Sequence, residues 1–167
     1  MPVSYLLADD TLGVPPINVS GDTTQRIPLG TIVNAVDAST AAYGQAEFLY
    51  VKFTGTVVAG DLCLVDRQAK TATQVPAAAT KATMGLAMAA QAANQYGYVM
   101  IRGVHDVANV LTGTTLQYGP NYGSALTAGR ITSAVTATFI VDGVAVKVSA
   151  ASNVGTVELY YPVCTGR

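Results

Sequence analysis

From Gly30 onward the chain is a succession of short runs rich in Val, Ile, Thr, Tyr and Phe, separated by Gly, Asn or Asp. Such punctuation marks many short strands joined by turns. Thr31 to Val36, Glu47 to Phe53, Val57 to Asp66, Thr71 to Val75, Tyr96 to Gly103, Arg130 to Val141, Val144 to Ser149 and Val154 to Tyr161 are the candidate strands. The expectation is a mainly β fold with mostly antiparallel pairing, closed as a β-barrel or stacked as a sandwich-like module.

The sharpest local signal is Phe139-Ile140-Val141-Asp142-Gly143-Val144-Ala145-Val146-Lys147-Val148. Asp-Gly between two alternating runs supplies the positive-φ pair of a type I′ hairpin turn, which predicts that Val141 pairs with Val144. Phe139, Val141, Val144, Val146 and Val148 then share one face, and Thr138, Ile140, Ala145 and Lys147 the other. The Ala-rich stretch from Pro76 to Gln95 is less decided. Alanine favours helix while Gly85 and the threonines oppose it, so a short helix or turn is expected, with Gly85 to Met88 as a candidate buried strand.

Residues 1–30 differ in character from the rest of the chain. They hold four of the seven prolines, Pro2, Pro15, Pro16 and Pro28, with the turn formers Asn18, Gly21 and Asp22 among them. Proline removes an amide donor and fixes φ, so this segment is expected to be an extended arm lying along a surface rather than a strand in mid-sheet. Its apolar anchors are Leu6, Leu7, Val14, Ile17, Ile27 and Leu29, and Arg26 is its one basic residue. The β domain is expected over 31–167, with a barrel-like part at 31–105 and a second β part at 106–167.

Composition narrows the function. Charged residues are 11% of the chain, against about 25% in an ordinary soluble domain. Mean hydropathy is +0.37, net charge is −1, and the nine Lys and Arg residues never form a run of even two. A nucleic-acid partner, which needs a basic stripe, and an anionic membrane surface are therefore not expected. The N-terminus meets Asp9 and Asp10 before any apolar core of a signal peptide forms, so synthesis in a cytoplasm is expected. Cys63 and Cys164 match no metal spacing and read as two reduced, buried hydrophobes.

No catalytic, cofactor-binding or metal-binding residue is expected. His105, the one histidine, stands beside Asp106 without a nucleophile motif. Asp61 follows Gly60 at a strand start and Asp66 precedes Arg67 at a strand end, so turn chemistry accounts for both carboxylates. Tyr118-Gly119-Pro120-Asn121-Tyr122-Gly123 lacks the spacing and the Lys of a phosphate loop and reads as a surface loop whose tyrosines, Tyr118 and Tyr122, are candidate interface anchors.

Four short motifs lie between Val57 and Gly103: Val58-Ala59-Gly60-Asp61-Leu62-Cys63-Leu64-Val65-Asp66, Lys70-Thr71-Ala72-Thr73, Met84-Gly85-Leu86-Ala87-Met88 and Gln95-Tyr96-Gly97-Tyr98-Val99-Met100-Ile101-Arg102-Gly103. Together they resemble the small capsid decoration (cement) proteins of tailed bacteriophages, with Tyr98 standing where a Trp is frequent. The resemblance implies a compact β-barrel-like module in a structural virion protein that binds the outer surface of the phage capsid and stabilises the head lattice. It also implies the major capsid protein as partner and assembly as a homotrimer. Under this reading Leu6, Leu7, Val14, Ile17, Arg26, Ile27, Leu29, Tyr118 and Tyr122 are the candidate contacts with capsid or neighbouring subunit. Sparse charge agrees with a subunit that buries neutral surface against partners. The alternative is a glycan-binding β module of a virion fibre or surface adhesin. Such a site presents exposed aromatic platforms with convergent Asp, Asn or Arg, and the absence of Trp weighs against it.

Overall fold

Along residues 45–53 four consecutive side chains, Phe48 to Val51, are buried. A strand with one face in water alternates buried and exposed positions, so an unbroken buried run means that both faces are covered. The computed structural model shows how, describing residues 5–7, 14–38, 43–76, 82–110, 121–123, 128–132, 140–148 and 153–164, with the backbone alone for 6, 7, 121–123, 140 and 148.

Among the described residues every regular element is a strand: β1 (Tyr5–Leu7), β2 (Ile32–Asp37), β3 (Gln45–Phe53), β4 (Leu62–Asp66), β5 (Thr71–Gln74), β6 (Ala82–Ala87), β7 (Tyr96–Asn109), β8 (Asn121–Gly123), β9 (Ile131–Thr132), β10 (Ile140–Val148) and β11 (Val154–Cys164). All eleven belong to one hydrogen-bonded sheet in the order β1-β2-β3-β5-β4-β6-β7-β11-β10-β8-β9, and β3 also pairs with β7. That extra pairing closes β3, β5, β4, β6 and β7 into a ring. Pairing is antiparallel except between β3 and β5, which run parallel with Lys52 opposite Thr71.

Each strand of the ring sends side chains into one apolar cluster: Leu49, Val51 and Phe53 from β3, Cys63 and Val65 from β4, Ala72 from β5, Ala87 from β6, and Val99 and Ile101 from β7. This is the ring interior. The alternate positions, including Phe48, Tyr50, Leu62, Met84, Leu86, Tyr98 and Met100, belong to a second cluster outside the ring. It is completed by Tyr5, Ile17, Ala35, Ala108, Val110, Ile131, Val141, Val144, Val146, Val157, Leu159 and Cys164. The N-terminal segment and the β10–β11 pair thus cover a barrel that is apolar outside as well as inside.

β6 bears out the candidate buried strand at Gly85 to Met88 over residues 85–87 and extends it back to Ala82, while no helix forms among the described residues of the Ala-rich stretch. Its residues sit between β4 and β7, with Leu62 opposite Leu86 and Leu86 opposite Met100. A Cβ on Gly85 would lie 2.9 Å from the Met100 carbonyl oxygen and 3.1 Å from Val99 Cβ, so the glycine that argued against a helix is there because two strands meet too closely for a side chain. Residues 77–81 lie outside the described residues. β7 runs unbroken through positions 105 and 106, where a second β part was expected to begin.

The Asp142-Gly143 hairpin is also corrected. β10 passes straight through both residues, pairing Asp142 with Val163 and Val144 with Leu159 on β11. Two steps on β10 face four on β11, so Tyr160, Tyr161 and Pro162 stand opposite Gly143 alone and bulge out. Gly143 has φ of 77°, and the positive φ that suited a turn serves the bulge instead. The bulge keeps Val141, Val144 and Val146 on the buried face and leaves Asp142 exposed, so the expected sides hold although the turn does not exist. Phe139 lies outside the described residues, as does the Val148 side chain.

A Cβ on Gly143 would stand 2.5 Å from the Tyr160 carbonyl oxygen. Gly143→Val should therefore lower stability by about 2–3 kcal/mol or more through clash and backbone strain, read by urea denaturation. Val146→Ala, which empties a fully buried site, should cost about 2 kcal/mol. Lys147→Ala, which breaks the partly exposed pair with Glu158, should cost less than about 1 kcal/mol.

Candidate functional site

The proline-rich segment packs on its own barrel. Gln91, 3% exposed, donates from Nε2 to the Val19 carbonyl at 2.7 Å and accepts the Gly21 N–H on Oε1 at 3.0 Å. The Tyr96 N–H donates to the Asp22 carbonyl, the Arg26 N–H to the Tyr50 hydroxyl oxygen, and the Gly30 N–H to the Tyr50 carbonyl. A proline-rich segment thus takes hydrogen-bond partners from β3, from the start of β7 and from the loop that carries Gln91. Near the terminus, β1 pairs with β2, and buried Tyr5 packs edge-on to Phe48 at 5.1 Å while donating its hydroxyl to the Val104 carbonyl.

This changes the standing of the candidate contacts. Ile17 is 3% exposed within the outer core and is not available to a partner. Val14, Ile27 and Leu29 are half-buried against the same core. Arg26 is exposed and paired with Asp22 at 3.1 Å. Leu6 and Leu7 are placed by backbone in β1 and Tyr122 by backbone in β8, while Tyr118 lies outside the described residues. Over 14–30 the arm packs on the barrel of its own chain.

The titratable residues set aside in the sequence are built into the architecture. Asp61 is 2% exposed, and its carboxylate accepts from the Val58 N–H at 2.9 Å, Gln74 Nε2 at 2.7 Å and Asn109 Nδ2 at 2.7 Å. It ties the entrance of β4 to β5 and to the end of β7. Three donors converge on this buried carboxylate. Asp66 accepts the Gln68 and Ala69 N–H groups, a turn closed by its own side chain. His105 is buried opposite Val157, and its Nδ1 accepts the Val107 N–H at 3.2 Å, which leaves the proton on Nε2. Burial, opposed by nearby Asp106, lowers its pKa to about 4. Both cysteines are free and buried, and burial pushes the Cys63 thiol pKa upward. Among the described residues no group of three or more His, Cys, Asp or Glu is placed to hold a metal ion, and no helix is long and apolar enough to cross a membrane.

The surface that sequence reading missed is an exposed row across four strands. Asn34 on β2 stands opposite Glu47 on β3, Glu47 opposite Arg102 on β7, and Arg102 opposite Tyr160 on β11. Arg102 Nη1 donates to Glu47 Oε1 at 2.9 Å, and the Tyr161 hydroxyl donates to Glu47 Oε2 at 2.6 Å. These two donors, the tyrosine first, hold the Glu47 carboxyl below the usual carboxylate range. The Arg102 guanidinium carbon lies 5.8 Å from the Tyr160 ring centroid. Tyr160 is 61% exposed and Tyr161 43%. Adjacent strand residues normally face opposite sides; here the bulge and the positive φ of Tyr161, 46°, turn both toward solvent. Ile32 and Val36 flank the row on β2, and Val163 follows it on β11. Tyr-Tyr-Pro inside a strand run was the available signal, because two bulky neighbours followed by proline break the alternation of a regular strand.

Comparison with protein-family models, with curated proteins and with solved structures finds no match to this chain.

The buried polar groups set two measurable outcomes. Gln91→Ala removes both side-chain bonds to the arm and should lower stability by about 1–3 kcal/mol, with limited proteolysis cutting near Val19 faster than in the parent protein. Because the His105 pKa is depressed in the folded state, its contribution is complete above about pH 6.5, where the unfolded chain also carries it neutral. As pH falls from about 6.5 to about 4 the unfolded state takes up the proton first, and up to about 3 kcal/mol is lost. Urea denaturation at pH 7 and pH 4.5 should show a loss about 2–3 kcal/mol smaller in His105→Gln than in the parent.

Proposed function

We propose that the protein is a structural, non-enzymatic virion component that binds the outer surface of a tailed-phage capsid and stabilises the head lattice, assembling as a homotrimer on the major capsid protein. The observation that carries this reading is that the segment resembling capsid decoration proteins is a unit of the fold. Val57–Gly103 contains β4, β5, β6 and the first half of β7, four of the five strands of the closed ring. Its glycines mark close approaches rather than a catalytic loop: a Cβ on Gly60 would lie 2.2 Å from the Val107 carbonyl oxygen, and one on Gly103 2.5 Å from Ala46 Cβ. The polar groups of Asp61, Gln91 and His105 are likewise committed to architecture. What remains for function is surface, and a subunit with 11% charged residues has much uncharged surface to offer.

The mechanism on this reading is linkage. A protein that binds the assembled lattice and not its dissociated subunits stabilises the lattice by its binding free energy, about 2.7 kcal/mol per site at a hundredfold excess over Kd. Internal pressure then has to break those contacts as well. The test is co-sedimentation of purified protein with heads assembled without it. Saturable binding at a fixed ratio to the major capsid protein, with a raised temperature of head disruption, is expected; protein that stays in the supernatant at micromolar concentration overturns the reading.

A further inference from the structure

We propose that the exposed row of Asn34, Glu47, Arg102, Tyr160 and Tyr161 is a binding site for a neutral saccharide. The inference does not rest on the capsid reading; the same site would serve a virion protein or a surface module.

Its starting point is the charge arithmetic of the row. Glu47 and Arg102 neutralise each other at 2.9 Å, so the row has no uncompensated cation for phosphate or an acidic peptide. An uncharged ligand suits it. Hydrogen-bonding capacity nevertheless remains. Arg102 uses Nη1 toward Glu47 and has further N–H donors, its side chain being 49% exposed, while each Glu47 oxygen keeps a second lone pair. Asn34 offers both donor and acceptor. A ligand covered in hydroxyls, each able to give and take a hydrogen bond, matches such a mixed set.

The aromatic component is Tyr160. Its ring is backed by Arg102, and its exposure leaves apolar surface on which the C–H face of a sugar ring can stack. Tyr161 contributes in a different way. Its hydroxyl is committed to Glu47, so it orients the carboxylate while its ring extends the apolar surface. The row crosses β2, β3, β7 and β11, three inter-strand steps of about 4.8 Å, which suits an extended oligosaccharide better than a single sugar.

Protein docking is the rival for any surface rich in Tyr and Arg, and Ile32 and Val36 at its edge would suit it. The ion pair decides between them. A dry protein interface would take Glu47 and Arg102 out of water together, a desolvation that often exceeds the Coulomb gain. A hydroxyl-rich ligand replaces the water around the pair group for group and avoids that loss. An aromatic platform with an Arg beside it and an Asn in the same row, which the sequence lacked as a motif, is thus assembled by the fold from four distant segments.

The experiment is titration of the full chain with short neutral oligosaccharides of hexoses and N-acetylhexosamines, first on an array and then by calorimetry. Saturable binding that varies little between low and high salt is expected. Tyr160→Ala and Arg102→Leu should each weaken it by about tenfold or more. Val154→Ser, at an exposed site outside the row, should leave it unchanged. Circular dichroism of each variant, with the same strand signal as the parent, shows that the loss is local. The proposal is overturned if no neutral oligosaccharide binds, or if binding persists in Tyr160→Ala. It is also overturned if light scattering finds self-association that Tyr160→Ala abolishes while no sugar binds, since the row is then a protein interface.

Discussion

A ring of five strands has a narrow interior, and everything else in this protein depends on filling it. The side chains that meet there are of modest size apart from Phe53, with Ala72 and Ala87 among Leu49, Val51, Val99 and Ile101. Gly85 serves close approach between strands, and Gly97 leaves room for the buried Gln91 side chain, a Cβ on it falling 2.7 Å from Gln91 Nε2. So small a core stabilises little, which is why the outer face of the ring is apolar too. Phe48, Tyr50, Leu62, Met84, Leu86, Tyr98 and Met100 must be covered, and β10, β11 and the proline-rich segment are the cover. The second layer is a condition of the barrel's stability rather than an addition to it.

Polar side chains are buried where backbone must cross between these layers. Gln91 supplies the hydrogen bonds that a segment with four prolines cannot make with itself, and Asp61 gathers donors from a loop, β5 and β7. Each has hydrogen-bond partners, as burial demands. Tyr98 is the exception among the described residues: its hydroxyl is buried with no partner, at a cost of about 1–3 kcal/mol. Its ring, 5.0 Å from that of Tyr50, returns packing in exchange. The fold tolerates one unsatisfied hydroxyl because an aromatic of that size is needed to fill the outer core.

Strands that keep β-branched and aromatic residues between turn formers were legible from sequence, and β2, β3, β5 and β11 lie within two or three residues of their expected limits. β6 was legible only in part, as the candidate strand at Gly85 to Met88, because its pairing is set by residues remote in sequence on β4 and β7. Asp142-Gly143 shows a different failure. The dipeptide does report a positive φ, but a local rule cannot tell a turn from a bulge opposite Tyr160-Tyr161-Pro162. The partners that the arm finds within the chain, Gln91 and Tyr50, were not legible, since they are remote in sequence. The same remoteness hid the exposed row, whose members become neighbours only when β2, β3, β7 and β11 pair.

The two cysteines fell into different compartments. Cys63 is inside the ring, Cys164 in the layer that wraps it, and both are shielded from solvent. A thiol reagent therefore meets no accessible sulfur until part of the structure opens, and the two sites open with different parts. Loosening of the wrapping layer exposes Cys164 alone; labelling of Cys63 requires the ring itself to come apart. The chain carries its own pair of clocks, one for each shell, and the order in which they are modified under native conditions records whether the protein breathes from the outside inward or dissolves as a single cooperative unit.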